Sequence, residues 1–438
     1  MVEASPRRRF LRRSGVIATV GLAGCLGSGA PDTEGPGETG TSASGQASEG
    51  TQPSTPGPGK LTPDAGGDGG FGTAIAIDGN RALVGAIGEA YVFEWTGDGW
   101  RQEARLTVEG RTDLGRSVAL SGDRALLGAP GPDPDDGGLG AAYLFTRDDG
   151  EWTRTAVFTA HDEIPVVEQP RTVPDVPDPN NFGVTVALEG ETAVVGDTVP
   201  FRGYTGPTHV FTATNGEWSR QARLSPGDPH LADFGWSIAI ADDTVLIGGR
   251  KEVKGVKTAD PSDPYSMPVG FSDESGVAYA ATRSDGTWTL GSELSSDRTL
   301  EPDGEDDYRG FGTSLALSGS RALIGASDTD EAYVYRHTED GWTKATTLTP
   351  PDQDAPFAGS LALSGTTAYI SGGGGDTTPE NAGAAVVFEK GSGTWNHRKT
   401  ITADEPREGE AFGSAVALDG NTALTAAAGS DSVYIDRV

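Results

Sequence analysis

The stretch FGTAIAIDGNRALVGA, Phe71 to Ala86, decides the fold because six other segments repeat it. They are LGRSVALSGDRALLGAP from Leu114, FGVTVALEGETAVVGD from Phe182, FGWSIAIADDTVLIGG from Phe234, FGTSLALSGSRALIGA from Phe311, FAGSLALSGTTAYISG from Phe357 and FGSAVALDGNTALTAA from Phe412. The copies start 43 to 77 residues apart, and self-similarity at such a period marks a repeat architecture. Within each copy the first segment alternates with period two, the mark of a strand. Ala76, Ala119, Ala187, Ala239, Ala316, Ala362 and Ala417 all lie five places after the opening residue, flanked by aliphatics such as Ile75 and Ile77. Small side chains on one face and large ones on the other suit stacked sheets.

Working outward, a two-residue hairpin follows (Gly79-Asn80, Gly122-Asp123, Gly319-Ser320). The second strand is apolar and usually ends in glycine, as at Gly85, Gly128, Gly196 and Gly325, where a close backbone approach is expected. The third is aromatic and β-branched: AYVFEW from Ala90, AAYLFT from Ala141, THVFTA from Thr208, VAYAAT from Val277 and EAYVYR from Glu331. A Trp then opens a fourth strand at Trp100, Trp152, Trp218, Trp288, Trp342 and Trp395. That regular spacing favours packing within each unit over a sugar-binding aromatic platform.

Four antiparallel strands, seven times over, predict an all-β, seven-bladed β-propeller, in which radial repetition protects the sheet edges. The seventh copy stops after its third strand, SVYIDRV, with no Trp strand. Lys60-Leu61-Thr62-Pro63 matches the close of the fourth strand elsewhere, as in Arg105-Leu106-Thr107 and Arg223-Leu224-Ser225. The N-terminal strand is therefore expected to complete blade seven and close the ring, which spans residues 60–438.

The Phe-Gly opening and Gly128-Ala129-Pro130 resemble FG-GAP repeats, the kind that build the seven-bladed propeller of integrin α-chains. The resemblance runs from Leu61 to Val438 and concerns the repeat, not a ligand. Integrin-type repeats often hold calcium in an Asp-rich loop between their first two strands. Here that connection is a two-residue hairpin, too short for a cation needing six or more oxygens. Asp133-Pro134-Asp135-Asp136-Gly137 lies after the second strand and reads as a solvated turn, so no metal and no cofactor are expected.

Ahead of the repeats, Arg7-Arg8-Arg9-Phe10-Leu11-Arg12 precedes a short apolar run from Gly15 to Leu22 and then Leu22-Ala23-Gly24-Cys25. This order is that of an export signal, too short to span a bilayer. Arg7 and Arg8 followed by Phe-Leu resemble a twin-arginine signal, and Leu-Ala-Gly-Cys resembles a lipobox in which Cys25 takes the lipid, as in haloarchaeal-type lipoproteins. The resemblance implies a signal peptide over 1–24 and a lipid-anchored protein on the outer face of the membrane. Residues 25–59 are Gly, Ser, Thr, Pro and Glu, too polar to repay ordering, and read as a tether. Cys25 is the only cysteine, so no internal disulfide is available.

The 438 residues carry 64 acidic and 33 basic side chains, net −31, with only 7 Lys. The acids are scattered through every repeat, which suits a salty habitat more simply than a cation store. Such a field excludes nucleic acid as a partner. No Cys nucleophile, Gly-x-Ser-x-Gly, phosphate loop or His-Glu-x-x-His occurs in the repeats. Of the five His, His209, His337 and His397 are expected at surface positions in or beside strands, and His161 and His230 in long connections.

Loop length says more. The first-to-second and third-to-fourth connections are tight, while the long segments follow the second strand (197–207, 250–275, 372–382) or join units (161–181, 295–310). In a four-stranded blade both long types emerge on the same face, where binding usually lives. Arg250, Lys251, Lys254 and Lys257 open the longest insertion within a blade, opposed only by Glu252, with Tyr265 and Phe271 further along. Two readings stand for these bases: they pair with neighbouring carboxylates, or they grip an anionic protein or acidic glycan, with the aromatics supplying apolar contact. The expected function is a non-catalytic binding or adhesion module, monomeric and touching the membrane only through its lipid; the alternative is a polysaccharide hydrolase or lyase using the same loops.

Overall fold

The computed structural model describes residues 59–64, 69–131, 140–160, 181–198, 206–228, 231–252, 274–296, 310–327, 329–352, 355–372, 379 and 381–438. Cys25, Arg7, Arg8, Lys254, Lys257, Tyr265, Phe271, His161 and His230 lie outside them. The described residues form seven antiparallel sheets in chain order, a seven-bladed β-propeller. Blade one is Ala74–Asp78, Arg81–Ala86, Glu89–Trp95 and Trp100–Thr107, and the others follow its register. No described residue is α-helical.

Ring closure is as the repeat pattern predicts. Lys60–Leu61 pairs with Ser432–Arg437, Lys60 opposite Tyr434 and Leu61 opposite Val433. The Ile435 N–H extends the ladder by donating to the Gly59 carbonyl at 3.0 Å. Leu61 is fully buried in a cluster shared by Phe71, Tyr91, Val416 and Val433, so one side chain ties the seventh blade to the first. Full burial of a leucine contributes about 2 kcal/mol.

The repeat's two glycine positions have one physical purpose between them. The glycine after the opening residue is left-handed in six blades, for instance Gly72 at φ +92 and Gly183 at φ +92, and in blade six Ala358 takes the same conformation at φ +66. This turns its carbonyl toward the preceding blade, against the glycine near the end of that blade's second strand. A Cβ on Gly85 would meet the Gly115 oxygen at 2.1 Å, and one on Gly128 the Gly183 oxygen at 2.0 Å. Adjacent blades therefore touch backbone to backbone. Buried hydroxyls reinforce the contact: Ser117 donates to the Gly183 carbonyl at 2.9 Å and Ser314 to the Ala358 carbonyl at 2.7 Å.

Blade four departs from the pattern. Its first strand is split into Leu231–Ala232 and Ile238–Ala241, both paired with Thr244–Glu252. The interruption is a turn at Asp233 (φ 51), closed by the Trp236 N–H on the Asp233 carbonyl at 2.9 Å. Its hairpin has no glycine, and Asp242 supplies the left-handed residue instead (φ 54).

Candidate functional site

The two faces of the ring differ in kind. On one, the hairpins between first and second strands interlock around the axis. In five blades the residue ending the first strand accepts a hydrogen bond from the next hairpin's glycine N–H: Asp78 from Gly122 at 2.6 Å, Ser121 from Gly190 at 2.9 Å, Ser318 from Gly365 at 3.0 Å, Ser364 from Gly420 at 3.1 Å and Asp419 from Gly79 at 2.7 Å. Blade four ends its first strand in Ala241, which has no side-chain acceptor to offer. Beside it opens a cavity of about 800 Å³, whose wall includes Asp78, Asp123, Glu189, Glu191, Asp242 and Asp243. Its two guanidinium groups are committed, Arg124 to the Gly190 carbonyl at 3.2 Å and Arg283 to Asp243 at 2.6 Å. Burial pushes the Asp78 carboxyl above its ordinary range, the Gly122 N–H pulls it down, and nearby Asp419 pushes it up again. This mouth repels anions.

The strands flanking the second-to-third and blade-to-blade connections end on the opposite face. Here stand the two described members of the basic cluster, both in ion pairs. Arg250 Nε donates to Asp233 Oδ2 at 2.6 Å. Lys251 Nζ lies 3.1 Å from Glu293 and 3.3 Å from Asp228, and those partners raise its pKa, the Glu293 hydrogen bond most. For Arg250 and Lys251 the pairing reading describes what they do.

Beneath this face runs a column of rings that the repeat register defines. Tyr91, Tyr143, His209, Tyr279, Tyr333 and Tyr434 occupy one position on the third strands of blades one to five and seven, opposite Val84, Leu127, Val195, Ile247, Ile324 and Thr425. Blade six has Val386 there. Where the blade opens with Phe, that ring meets the column residue edge-on or tilted, as in Phe71–Tyr91 at 5.6 Å and Phe182–His209 at 5.2 Å. Four of the tyrosines donate to carboxylates: Tyr91 to Glu89, Tyr333 to Glu331, Tyr434 to Glu410 at 2.7 Å and Tyr279 to Glu293 at 3.2 Å. Burial, then the neighbouring carboxylate, pushes the Tyr279 and Tyr434 phenols up to about 12.

His209 corrects the surface placement expected for it. It is 1% exposed, whereas His337 and His397 are exposed as expected. The reason is its column position, which is buried in blades one to six and half-buried in blade seven. Both ring nitrogens lack a hydrogen-bond partner, as does Asp197 Oδ1, and Asp197 Oδ2 stands 3.6 Å from Nε2, beyond hydrogen-bond reach. Burial lowers the imidazole pKa, Asp197 works against that shift, and Arg220 and Arg223 add to it. On the other side of the same strands the hydroxyls of Thr198 and Thr208 are also buried without partners. Sequence reasoning missed Asp197 and His209. The signal was present as a single His in a column of Tyr, legible only once the third strands are aligned.

Among the described residues no group of three or more His, Cys, Asp or Glu is arranged to hold a metal ion. No described helix is long and apolar enough to cross a membrane. The FG-GAP repeat family matches residues 100–145 and 395–436, in blades one to two and six to seven. No curated protein matches the chain. Among solved structures, a crystal structure of the mitotic checkpoint complex aligns at 12% identity and TM-score 0.49 over 82% of this chain and 86% of that one. A putative 6-phosphogluconolactonase from Bacteroides fragilis aligns at 11% identity and TM-score 0.48 over 81% of this chain and 89% of that one. Sqt1 of Saccharomyces cerevisiae aligns at 10% identity and TM-score 0.43 over 86% of this chain and 98% of that one.

Proposed function

We propose that this FG-GAP-bearing propeller is a non-catalytic binding or adhesion module, displayed outside the cell, that recognises a protein or acidic glycan through its loop-bearing face. The observation that carries the reading is the asymmetry between faces. Two-residue hairpins join the strands on one face, while connections of up to 21 undescribed residues (253–273) join strand ends on the other. The display half rests on sequence: Arg7-Arg8 ahead of a short apolar run supports export, and Leu22-Ala23-Gly24-Cys25 supports lipid attachment. The net charge of −31 leaves a local basic segment as the natural place for an anionic partner.

Since Arg250 and Lys251 are committed to Asp233, Glu293 and Asp228, recognition falls to Lys254 and Lys257, with Tyr265 and Phe271 beside them in sequence. The test compares the intact protein with a Lys254→Gln, Lys257→Gln double variant, measuring binding to envelope material across a salt series. Weaker binding with a shallower salt dependence is expected. Undiminished binding with the same salt slope removes this loop as the site.

A further inference from the structure

The column beneath the loop-bearing face holds one residue whose charge can change near neutral pH. Blades one, two, four, five and seven carry tyrosine there, a side chain whose ordinary pKa of about 10 lies far from neutrality. His209 is an imidazole, with an ordinary midpoint of about 6.5. Its neighbourhood is also left open where the others are closed. In blade one, Tyr91 donates to Glu89, which also pairs with Arg105. In blade three the Asp197 carboxylate and the imidazole face each other at 3.6 Å without a bond, and neither ring nitrogen finds a partner. Asp197, Thr198, Thr208 and His209 together hold five buried side-chain atoms without a hydrogen bond.

Buried polar groups without partners destabilise the state that buries them, so this end of blade three is held less firmly than its equivalents. It is also the base of a long connection. The second strand, Thr192–Thr198, ends one residue past Asp197, and the chain returns at Gly206. A Cβ on Gly206 would lie 1.4 Å from the Asp197 carbonyl oxygen, so the returning chain rests directly on the residue facing the imidazole. The charges bearing on His209 are Asp197 on the second strand and Arg220 and Arg223 on the fourth. The first strand presents Phe182, and Phe158 and Ala160 of blade two join the same apolar cluster.

We propose that His209 and Asp197 form a proton-operated latch: proton uptake by the buried imidazole loosens the loop-face end of blade three, where Thr198 and Gly206 bracket a connection, while the tyrosine blades stay closed. A charge placed among Phe182, Phe211 and Val195 is poorly solvated, and Arg220 and Arg223 oppose it. Asp197 alone favours it. The sign follows: the folded midpoint lies below the unfolded one, so the unfolded or opened state binds the proton more readily. Opening is then favoured as pH falls below the ordinary imidazole midpoint. The latch rests on the loop-face reading only for its biological use; its operation does not depend on which partner binds.

Hydrogen exchange of the intact protein at pH 7.5 and pH 5, corrected for intrinsic rates, tests it. Peptides covering 192–198 and 208–214 report on blade three, and peptides covering 81–95 report on blade one as an internal reference. On acidification blade three is expected to lose protection severalfold relative to blade one. His209→Tyr, which installs the residue of five other blades, abolishes that difference, and His209→Gln does so if the tyrosine fits poorly. Asp197→Asn removes the one charge favouring the imidazolium in the closed blade, so the loss of protection on acidification deepens while its onset stays at the opened-state imidazole midpoint; a purely structural change would lower protection equally at both pH values. Equal pH responses in the two blades, or an unchanged response in both His209 variants, overturn the latch. Loss of partner binding by the Lys254 and Lys257 variant leaves these exchange results untouched, so the two readings fail separately.

Discussion

The junction between blades two and three and the junction between blades seven and one solve the same geometric problem with different chemistry. In the first, Gly128 lies against the Gly183 carbonyl so closely that a Cβ would sit 2.0 Å from its oxygen, and Ser117 bonds that same carbonyl at 2.9 Å. In the closing junction, Ala426 and Ala415 stand at the Gly128 and Ser117 positions, and a Cβ on Gly72 would come 3.2 Å from the Ala426 methyl. Methyl groups fill the space that backbone fills elsewhere. Carboxylates bridge the closing junction, Asp431 accepting from the Phe71 N–H at 3.1 Å and Asp419 from Gly79 at 2.7 Å, as Asp330 does from Phe357 and Asp78 from Gly122 at interior ones. Five of the six interior junctions, with glycine at 85, 128, 196, 248 and 325, are thus backbone contacts, and at the sixth Ser371 stands in the glycine position. The closing one depends on residues peculiar to the chain ends, including the borrowed strand at Lys60.

The sharpest way to break the closing junction is to remove that strand. Deleting Lys60 to Pro63 strips the fully buried Leu61 from the cluster with Val433 and Phe71 and bares the third strand of blade seven. A loss of roughly 3 kcal/mol or more is expected, on the scale of other buried leucine deletions. Thermal unfolding checks it against a chain starting at Gly59, which keeps the strand. Equal melting temperatures would show that the ring closes without its clasp.

Gly128→Ala attacks the interior junction instead. The new methyl meets backbone oxygen and the Ser117 hydroxyl at 2.0 and 2.2 Å, and neither the Gly183 carbonyl nor its strand can retreat without moving blade three. Overpacking of this kind costs about 1–3 kcal/mol. Denaturant unfolding should show that loss, whereas Ala426→Gly at the closing junction removes only a methyl and costs less. Equal losses at the two positions would erase the distinction between them.

Most of this comparison was legible in the sequence. The match of Lys60-Leu61 to Arg105-Leu106 gave the clasp, and the glycines at 85, 128, 196 and 325 gave the backbone approach, because a period-two strand ending in glycine leaves little else for it to do. The left-handed turn after the opening Phe was not legible, since Ala358 occupies it in blade six as Gly does elsewhere. The split first strand of blade four was hidden as well, because Leu231–Ala232 precedes the repeat's opening Phe234. For the candidate site the sequence did less. It marked Arg250 and Lys251 by charge, but their partners Asp228, Asp233 and Glu293 come from a loop, a turn and another strand and become neighbours only in the folded blade. His209 looked like a surface histidine because polarity suggests exposure, and only its register opposite Val195 shows that it points inward.

The smallest effect expected is at the hairpin ring, where Asp419→Ala probes the closing junction and Ser364→Ala an interior one. Each removes the side-chain acceptor of one hairpin N–H, Gly79 for Asp419 and Gly420 for Ser364, and each bond is worth about 1 kcal/mol. The two differ in charge. Asp419 also raises the Asp78 carboxyl by repulsion across the junction. Its removal therefore lowers the Asp78 midpoint in a carboxyl-resolved NMR titration, while Ser364→Ala leaves that midpoint in place. The same repulsion gives the pair opposite salt signatures. At low salt, relief of the Asp78–Asp419 repulsion offsets part of the lost hydrogen bond. Added salt screens that repulsion already, so the cost of Asp419→Ala grows with ionic strength, while the cost of Ser364→Ala stays level. In a chain of net charge −31 the closing junction then uses a carboxylate where a hydroxyl would serve, and tolerates it best where salt is high. If Asp419→Ala costs the same at every ionic strength, the repulsion is too weak to matter and the two junctions differ only in shape.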